Sequence, residues 1–265
     1  MSERMNPLDH PIIFTTPEYT TEESAWLEHT PFAMFLIEAL KPRTFVELGT
    51  HIGCSYCAFC QAVKALGTDT RCYAVDTWQG DAHAGYYSSK VLDNLKAIHD
   101  PKYSDFSTLM QMTFDEASAK FEPGSVDLLH IDGFHTYEAA RNDFDTWISK
   151  MSPRGVVIIH DSNMRDRGFG VYKVIDELRS RYPVFEFLHG YGLAVVAVGE
   201  ETPPALESFL HGTPGDIESL RNLFAKLGQA LHEPLMKPYF EVCITGSGQK
   251  FLRLRKWGMR VFRGA

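Results

Sequence analysis

The chain has 265 residues, 44% of them hydrophobic and 23% charged, which supplies a substantial core for one domain with extensions. A formal net charge of −8 excludes a general nucleic-acid binder, whose contacting face needs surplus Lys and Arg. No apolar run is long enough to span a bilayer and the start, MSERMNPLDH, lacks the apolar segment of a signal peptide, so a cytoplasmic location is expected.

Residues 1–40 read as an N-terminal arm and helical lid. Pro7, Pro11 and Pro17 punctuate the arm. Trp26, Leu27, Phe32, Phe35, Leu36 and Ala39 then mark one or two amphipathic helices interrupted near Pro31, packed on a sheet or covering a cleft. Trp26 and Phe35 read as core, with substrate contact as the other reading.

Thr44 to Val46 is a short strand running into Glu47-Leu48-Gly49-Thr50-His51-Ile52-Gly53-Cys54-Ser55, followed by a helix to Leu66. Strand, glycine turn and helix form a nucleotide cradle, but GxxxG lacks the middle glycine that lets a pyrophosphate approach, which disfavours a nicotinamide oxidoreductase. Cys54, Cys57 and Cys60 share a helix face and read as small buried hydrophobes rather than metal ligands. Five cysteines, an odd and crowded set, do not make a disulfide framework.

The next strand, Arg71 to Val75, ends in Asp76, placed to accept from ribose hydroxyls or to cap the following turn. The long loop Thr77 to Tyr87 offers Asp81, His83 and Tyr86 as substrate contacts, with a solvated loop as the equal alternative. Ser88 to His99 reads as a helix and Phe106 to Met112 as a strand. Thr113 to Glu116 fits a capping box.

The most informative stretch is Val126 to Asp161. It reads as a buried strand ending His130-Ile131-Asp132, a helix opened by Gly133 to Tyr137, and a buried strand ending His160-Asp161. Loops at the carboxyl ends of parallel strands line the binding crevice, so Asp132, His135, His160 and Asp161 are expected to converge. Tyr137 and Arg141 would brace that site or bind substrate. Beyond it, Asn163, Arg165 and Arg167 could bond acceptor hydroxyls or a phosphate, or belong to a charged surface loop. Val171 to Arg181 reads as a helix, and FEFLHGYGLAVVAVG as a hairpin turning at His189 to Gly192.

Residues 201–265 read as a C-terminal extension with a helix over Asp216 to Leu231. Its tail, KFLRLRKWGMRVFRGA, holds six basic and no acidic residues interleaved with apolar ones. Residues 250–265 suit peripheral membrane or protein docking, or simple packing on the domain.

Taken in order, ELGTHIGCS, VDTWQGD, LLHIDGFHTYEAARNDFDTW and GVVIIHDSN resemble a class I S-adenosylmethionine-dependent methyltransferase. More narrowly they resemble macrocin-type sugar O-methyltransferases and methyltransferase domains accompanying bacterial glycosyltransferases. The resemblance covers Thr44 to Gly199, and the domain is drawn at 41–200. It implies a Rossmann-like, doubly wound α/β fold: a seven-stranded, mostly parallel sheet with one antiparallel strand and helices on both faces.

It also implies S-adenosylmethionine as cofactor, its methionine part among Glu47, Gly49, Thr50 and Gly53, its ribose on Asp76 and its adenine at Thr113 and Phe114. In the metal-dependent relatives an acid after the fourth strand and two acids after the fifth hold the metal. Asp132 and Asp161 match two of these positions and His160 stands at the third, pointing to Mg²⁺ or, with imidazole present, Mn²⁺. Asp132 is thereby expected to serve cofactor, metal and catalysis, and His135 matches the general base. Asp81, His83, Tyr86, Tyr137 and Asn163 are the substrate candidates.

The expected function is O-methylation of a sugar hydroxyl on a glycoside, polysaccharide or secondary metabolite. Oligomerisation is left open. The alternative is a non-catalytic cofactor-binding or docking module of glycan-assembly machinery.

Overall fold

The computed structural model describes residues 5–21, 24–81, 83, 85–86, 88–201, 203–232, 239–244 and 250–255; the side chains beyond residue 232 are not described. After the turn Ala25–His29, α1 (Thr30–Leu40) leads to β1 (Thr44–Leu48), α2 (Cys54–Leu66) and β2 (Arg71–Asp76). A two-residue ladder, β3 (Gly80–Asp81) with β4 (Gly85–Tyr86), precedes α3 (Lys90–Tyr103), β5 (Ser107–Gln111) and α4 (Phe114–Ser118). Then come β6 (Val126–Ile131), α5 (Tyr137–Trp147), β7 (Met151–His160), α6 (Val171–Leu178), β8 (Val184–Phe187) and β9 (Leu193–Ala197). The short α7 (Glu207–Leu210), α8 (Pro214–Gln229), β10 (Tyr239–Ile244) and β11 (Lys250–Arg255) complete the order.

Seven strands form one sheet in the order β5-β2-β1-β6-β7-β9-β8. Every neighbouring pair from β5 to β7 is parallel, and β9 alone runs against both of its neighbours, β7 and β8. The expected doubly wound sheet with one antiparallel strand near its edge is therefore present. Parallel neighbours need crossovers, and the helices that supply them cover both faces.

The two-residue period of the strands sorts their side chains between two cores. Phe45, Leu128, Val156 and Ile158 join α1, α2 and the phenylalanine cluster Phe32, Phe35, Phe187, Phe209 and Phe224. Val46, Leu48, Leu129, Ile131, Val157 and Ile159 face Phe144 and Trp147 of α5 and Val174 and Leu178 of α6. By the same alternation Glu47, His130 and His160 point to the α1/α2 face, three polar residues in an apolar layer.

The first forty residues are more than a cover. Pro31 lies in the first turn of α1, where its missing N–H costs nothing, and the helix is buried along most of its length. Trp26 and Phe35 are both core. The α3 helix runs four residues past the expected end, carrying Pro101 in its last turns. Cys54, Cys57, Cys60 and Cys72 are buried free thiols, the first three on α2. The hairpin expected over FEFLHGYGLAVVAVG forms, with Val184–Phe187 antiparallel to Leu193–Ala197. Of the basic tail, Lys250–Arg255 pairs antiparallel with Tyr239–Ile244, and residues 256–265 lie outside the described residues. Among the described residues no helix is long and apolar enough to cross a membrane.

Candidate active site

A cavity of ≈ 320 Å³ opens at the carboxyl ends of β1, β2, β5 and β6. Gly49, His51, Asp76 and Thr77 form one side, Thr113 and Phe114 another, and Asp132 to His135 a third, with Gly80 and Asp81 at the rim. His51, Thr77 and Phe134 were not singled out from the sequence. Their only local signal is position just after a strand end.

The glycines of the first turn are required by the protein's own packing. At Gly49 φ is +90°, and a Cβ would lie 2.0 Å from the Asp132 carbonyl oxygen. The β1 turn is thus pressed against the strand end that carries Asp132. At Gly53, which opens α2 with φ +82°, a Cβ would meet the Leu95 side chain at 2.4 Å. Gly133 in turn makes room for the Phe114 ring, which reaches 2.6 Å from where its Cβ would be.

Asp76 holds the cavity wall together. Its Oδ2 accepts from the His51 N–H at 2.8 Å and its Oδ1 from the Trp78 N–H at 2.6 Å. Burial raises its pKa, against the pull of these two backbone bonds. Each oxygen keeps a lone pair, so the turn-capping and ligand-binding readings of Asp76 are compatible. Thr113 behaves likewise: it closes a capping box with Glu116 and still lines the cavity.

Three residues expected around the cofactor, Glu47, Thr50 and Gly53, do not line the cavity. Glu47 is fully buried and bonds through Oε2 to His130 Nδ1 at 2.8 Å. The reason is register: Glu47 pairs directly with His130 across β1 and β6 on the core face. Burial raises its pKa, more than His130 and Ser55 lower it. Trp26 Nε1 donates to His130 Nε2 at 2.9 Å, so the imidazole proton sits on Nδ1 and is donated to Glu47. Thr50 is also buried, its hydroxyl without a hydrogen-bond partner among the described residues.

The four ionisable residues of the central stretch do come together. His135 Nε2 lies 2.8 Å from Asp161 Oδ2 and 3.7 Å from Asp132 Oδ1. His160 Nδ1 lies 3.2 Å from Asp132 Oδ1 and 3.3 Å from Asp161 Oδ2. Asp132, His135 and Asp161 each offer a ligand atom within 4.8 Å of the others. Asp161 adopts φ +57°, a left-handed conformation that Asp tolerates better than most residues, and this bend follows the last residue of β7.

Electrostatics follow from that packing. Burial disfavours the charge on Asp132 and Asp161, yet His160, His135 and the hydrogen bonds they make hold both carboxyls below the usual range. Burial likewise pulls the imidazoles down, and the two carboxylates override it: His135 is raised to about 9 and His160 well above its ordinary value.

His160 Nε2 faces the Gly190 carbonyl at 3.0 Å. A carbonyl only accepts, so Nε2 carries hydrogen and Nδ1 is the atom offered to the carboxylates. That is the orientation in which a neutral imidazole ligates a metal, its other nitrogen committed to a carbonyl. Two carboxylates and one or two imidazoles therefore fit a divalent cation.

The substrate candidates scatter. Asp81 lines the cavity rim. His83 packs near-parallel to Phe169 at 4.9 Å between centroids and against Phe134 at 4.5 Å. Phe169 also stacks on His135 at 4.5 Å, so this ring, unremarked in the sequence, covers the site. Tyr86 is 84% exposed on β4, beside Gly80. Tyr137 turns away: its hydroxyl donates to Glu177, which also binds Arg141, so the pair braces α5 against α6. Asn163 Nδ2 donates to the Leu188 carbonyl and ties the loop after β7 to the β8–β9 turn. Arg165 stacks over Tyr172.

Residues 46–162 match a family described as methyltransferase domain. The uncharacterized protein y4gI of Sinorhizobium fredii (strain NBRC 101917 / NGR234) is 47% identical over 190 residues, covering 72% of this chain; the chain spans only 21% of that relative's length. The Podospora anserina methyltransferase PaMTH1, solved bound to SAH, superposes with a TM-score of 0.51 at 15% identity over 63% of this chain and 76% of that one. The cofactor-bound Rv0187 from MTB gives 0.52 at 14% identity over 73% and 88%. Family match and fold agree: residues 46–162 are similar to a methyltransferase domain, and the chain shares the Rossmann-like fold of these solved structures.

Proposed function

We propose that this domain transfers a methyl group from S-adenosylmethionine to a sugar hydroxyl of a glycoside, polysaccharide or secondary metabolite, assisted by Mg²⁺ or Mn²⁺. The observation that carries the reading is the convergence of Asp132, His135, His160 and Asp161, the first two of which line the cavity together with Asp76 and Phe114.

Asp76 receives the ribose hydroxyls on the lone pairs its backbone bonds leave open, and Phe114 offers a ring face to the base. Asp132, His160 and Asp161 would hold the cation, and the imidazole in the set would favour Mn²⁺. Held there, a divalent cation would supply Lewis acidity that eases deprotonation of the acceptor hydroxyl. His135, beside the donor set, takes the proton as the oxygen attacks the methyl carbon in line with the departing sulfur. It can do so once the carboxylate charge is balanced and its ion pairs no longer hold it protonated. His83, Phe134 and Phe169 provide flat apolar faces on which a pyranose ring can rest.

Calorimetric titration of the full chain with S-adenosylmethionine and S-adenosylhomocysteine, each with Mg²⁺, Mn²⁺ and a chelator, tests the cofactor and the metal together. Expected is micromolar-class binding of both, followed by methylation of a sugar acceptor in a labelled-methyl screen. Absence of cofactor binding under every condition sinks the reading, and turnover unaffected by chelator removes the metal from it.

A further inference from the structure

The segment before α1 reaches into the site from the buried side. Trp26 and His29 lie three residues apart on the turn Ala25–His29, 2% and 1% exposed, and both direct ring nitrogens at the site-bearing end of the sheet. Trp26 Nε1 donates to His130. His29 Nε2 lies 3.1 Å from the Gly190 carbonyl, the same oxygen that faces His160 Nε2 at 3.0 Å. One carbonyl thus accepts from two imidazoles that enter from well-separated segments of the chain.

The contact is built closely. Gly190 has φ +53°, and a Cβ there would come within 2.8 Å of His29 Nε2 and 3.0 Å of the Ala25 carbonyl oxygen, so only glycine lets the β8–β9 turn meet this segment. The His29 ring packs edge-on against the His160 ring, centroids 5.5 Å apart and planes at 81°. The Trp26 ring lies 6.2 Å from the same imidazole. His160 is thus packed by two rings while its Nδ1 faces Asp132 and Asp161.

We propose that the Trp26–His29 turn is a positioning element for the metal-ligating His160: His29 holds the Gly190 carbonyl, and that carbonyl fixes the imidazole with Nδ1 toward the two carboxylates. The inference rests on the metal reading above and goes beyond it, because His29, Ala25 and Gly190 lie outside the stretch matched to the methyltransferase-domain family. His29 touches neither reacting atoms nor cation, so its effect is on metal affinity. Partners of this kind, one bond removed from a ligand, set metal affinity by roughly 10- to 100-fold.

The test compares wild type, His29→Phe and His29→Gln as full chains, measuring Mn²⁺ affinity by electron paramagnetic resonance, S-adenosylhomocysteine affinity by calorimetry, and the thermal midpoint. Phe keeps the ring and removes the donor, whereas the Gln amide nitrogen reaches the place of Nε2. Expected is Mn²⁺ binding weakened about tenfold or more in His29→Phe, largely restored in His29→Gln, with S-adenosylhomocysteine affinity within about twofold of wild type throughout. Wild-type Mn²⁺ affinity in His29→Phe overturns the positioning role and leaves the metal reading intact. So does equal weakening in His29→Gln, or joint loss of both ligands, since these mark a purely structural residue. A wild type that binds S-adenosylhomocysteine but neither Mn²⁺ nor Mg²⁺ overturns the metal reading and the positioning role with it.

Discussion

Glu47 and His130 face each other as direct register partners on β1 and β6, joined Oε2 to Nδ1 at 2.8 Å with no exposure to solvent. Trp26 closes the other side of the imidazole, so three residues spread over 104 positions form one buried polar chain. Its members are costly to remove singly because each removal strands a buried partner. Glu47→Leu leaves the His130 Nδ1–H without an acceptor and is expected to lose roughly 1–3 kcal/mol in urea unfolding. Glu47→Gln keeps an acceptor oxygen and should lose clearly less. Equal losses would show that packing, not the hydrogen bond, sets the cost.

Gly49→Ala is expected to be far worse than an ordinary glycine replacement. Its Cβ collides with the Asp132 carbonyl, whereas Gly124, also at positive φ, has nothing within 4 Å of an added Cβ. Gly124→Ala should therefore cost only the left-handed penalty, about 1 kcal/mol. Gly49→Ala should displace Asp132 and abolish both cofactor and Mn²⁺ binding. Retained binding of either ligand in a folded Gly49→Ala would refute the close fit between these strand ends.

Asp127 gives the fold a specific acid sensitivity. Burial opposes its ionisation, but the Arg43 guanidinium and backbone N–H and the Ser152 hydroxyl overcome it and hold its pKa at about 2. A depressed carboxyl stabilises the folded chain fully above its unfolded pKa, near 3.9, and loses that contribution as pH falls toward 2. The contribution is about 2 kcal/mol. In Asp127→Asn the stability measured between pH 5 and pH 2 should fall less steeply than in wild type; an unchanged slope would contradict the assignment.

Phe114→Ala should weaken S-adenosylhomocysteine binding about tenfold, the loss of one stacked ring, while leaving Mn²⁺ affinity alone. Calorimetry of both ligands separates the two. A parallel loss of metal binding would mean that Phe114, packed on Gly133, acts through the loop instead.

His135→Ala should bind S-adenosylmethionine as wild type does and lose turnover by at least about 100-fold, the usual contribution of a positioned base. Retained turnover with full cofactor binding would remove His135 from the proton transfer.

The sheet and the convergence of Asp132, His135, His160 and Asp161 were legible because both follow from chain-local pattern: buried runs of strand length ending in ionisable residues must place those residues at one edge of a parallel sheet. Glu47 shows the limit of that logic. Its place in the first turn suggested the cofactor, but strand period turns it to the core face, and its partner lies 83 residues downstream. The glycines were read as admitting a ligand close to the backbone, whereas at Gly49 and Gly53 the group that approaches is the protein itself. Phe169 and His29 carried no local signal at all. Their roles come from contacts with the loop after β2 and the β8–β9 turn, which no sequence period encodes.

The loop that carries Phe169 is moored at both ends. The Asn163 N–H donates to the Tyr191 carbonyl, and the Gly170 N–H donates to the His135 carbonyl at 2.8 Å. Between these moorings lie only residues 164–169, roughly 20 Å of chain if fully drawn out. With the moorings kept, the ring can therefore leave the face of His135 by a swing of that short span alone, on the nanosecond-to-microsecond scale of loops. Access to His135 is then a local event, and the seven strands beneath can stay as rigid as their packing makes them.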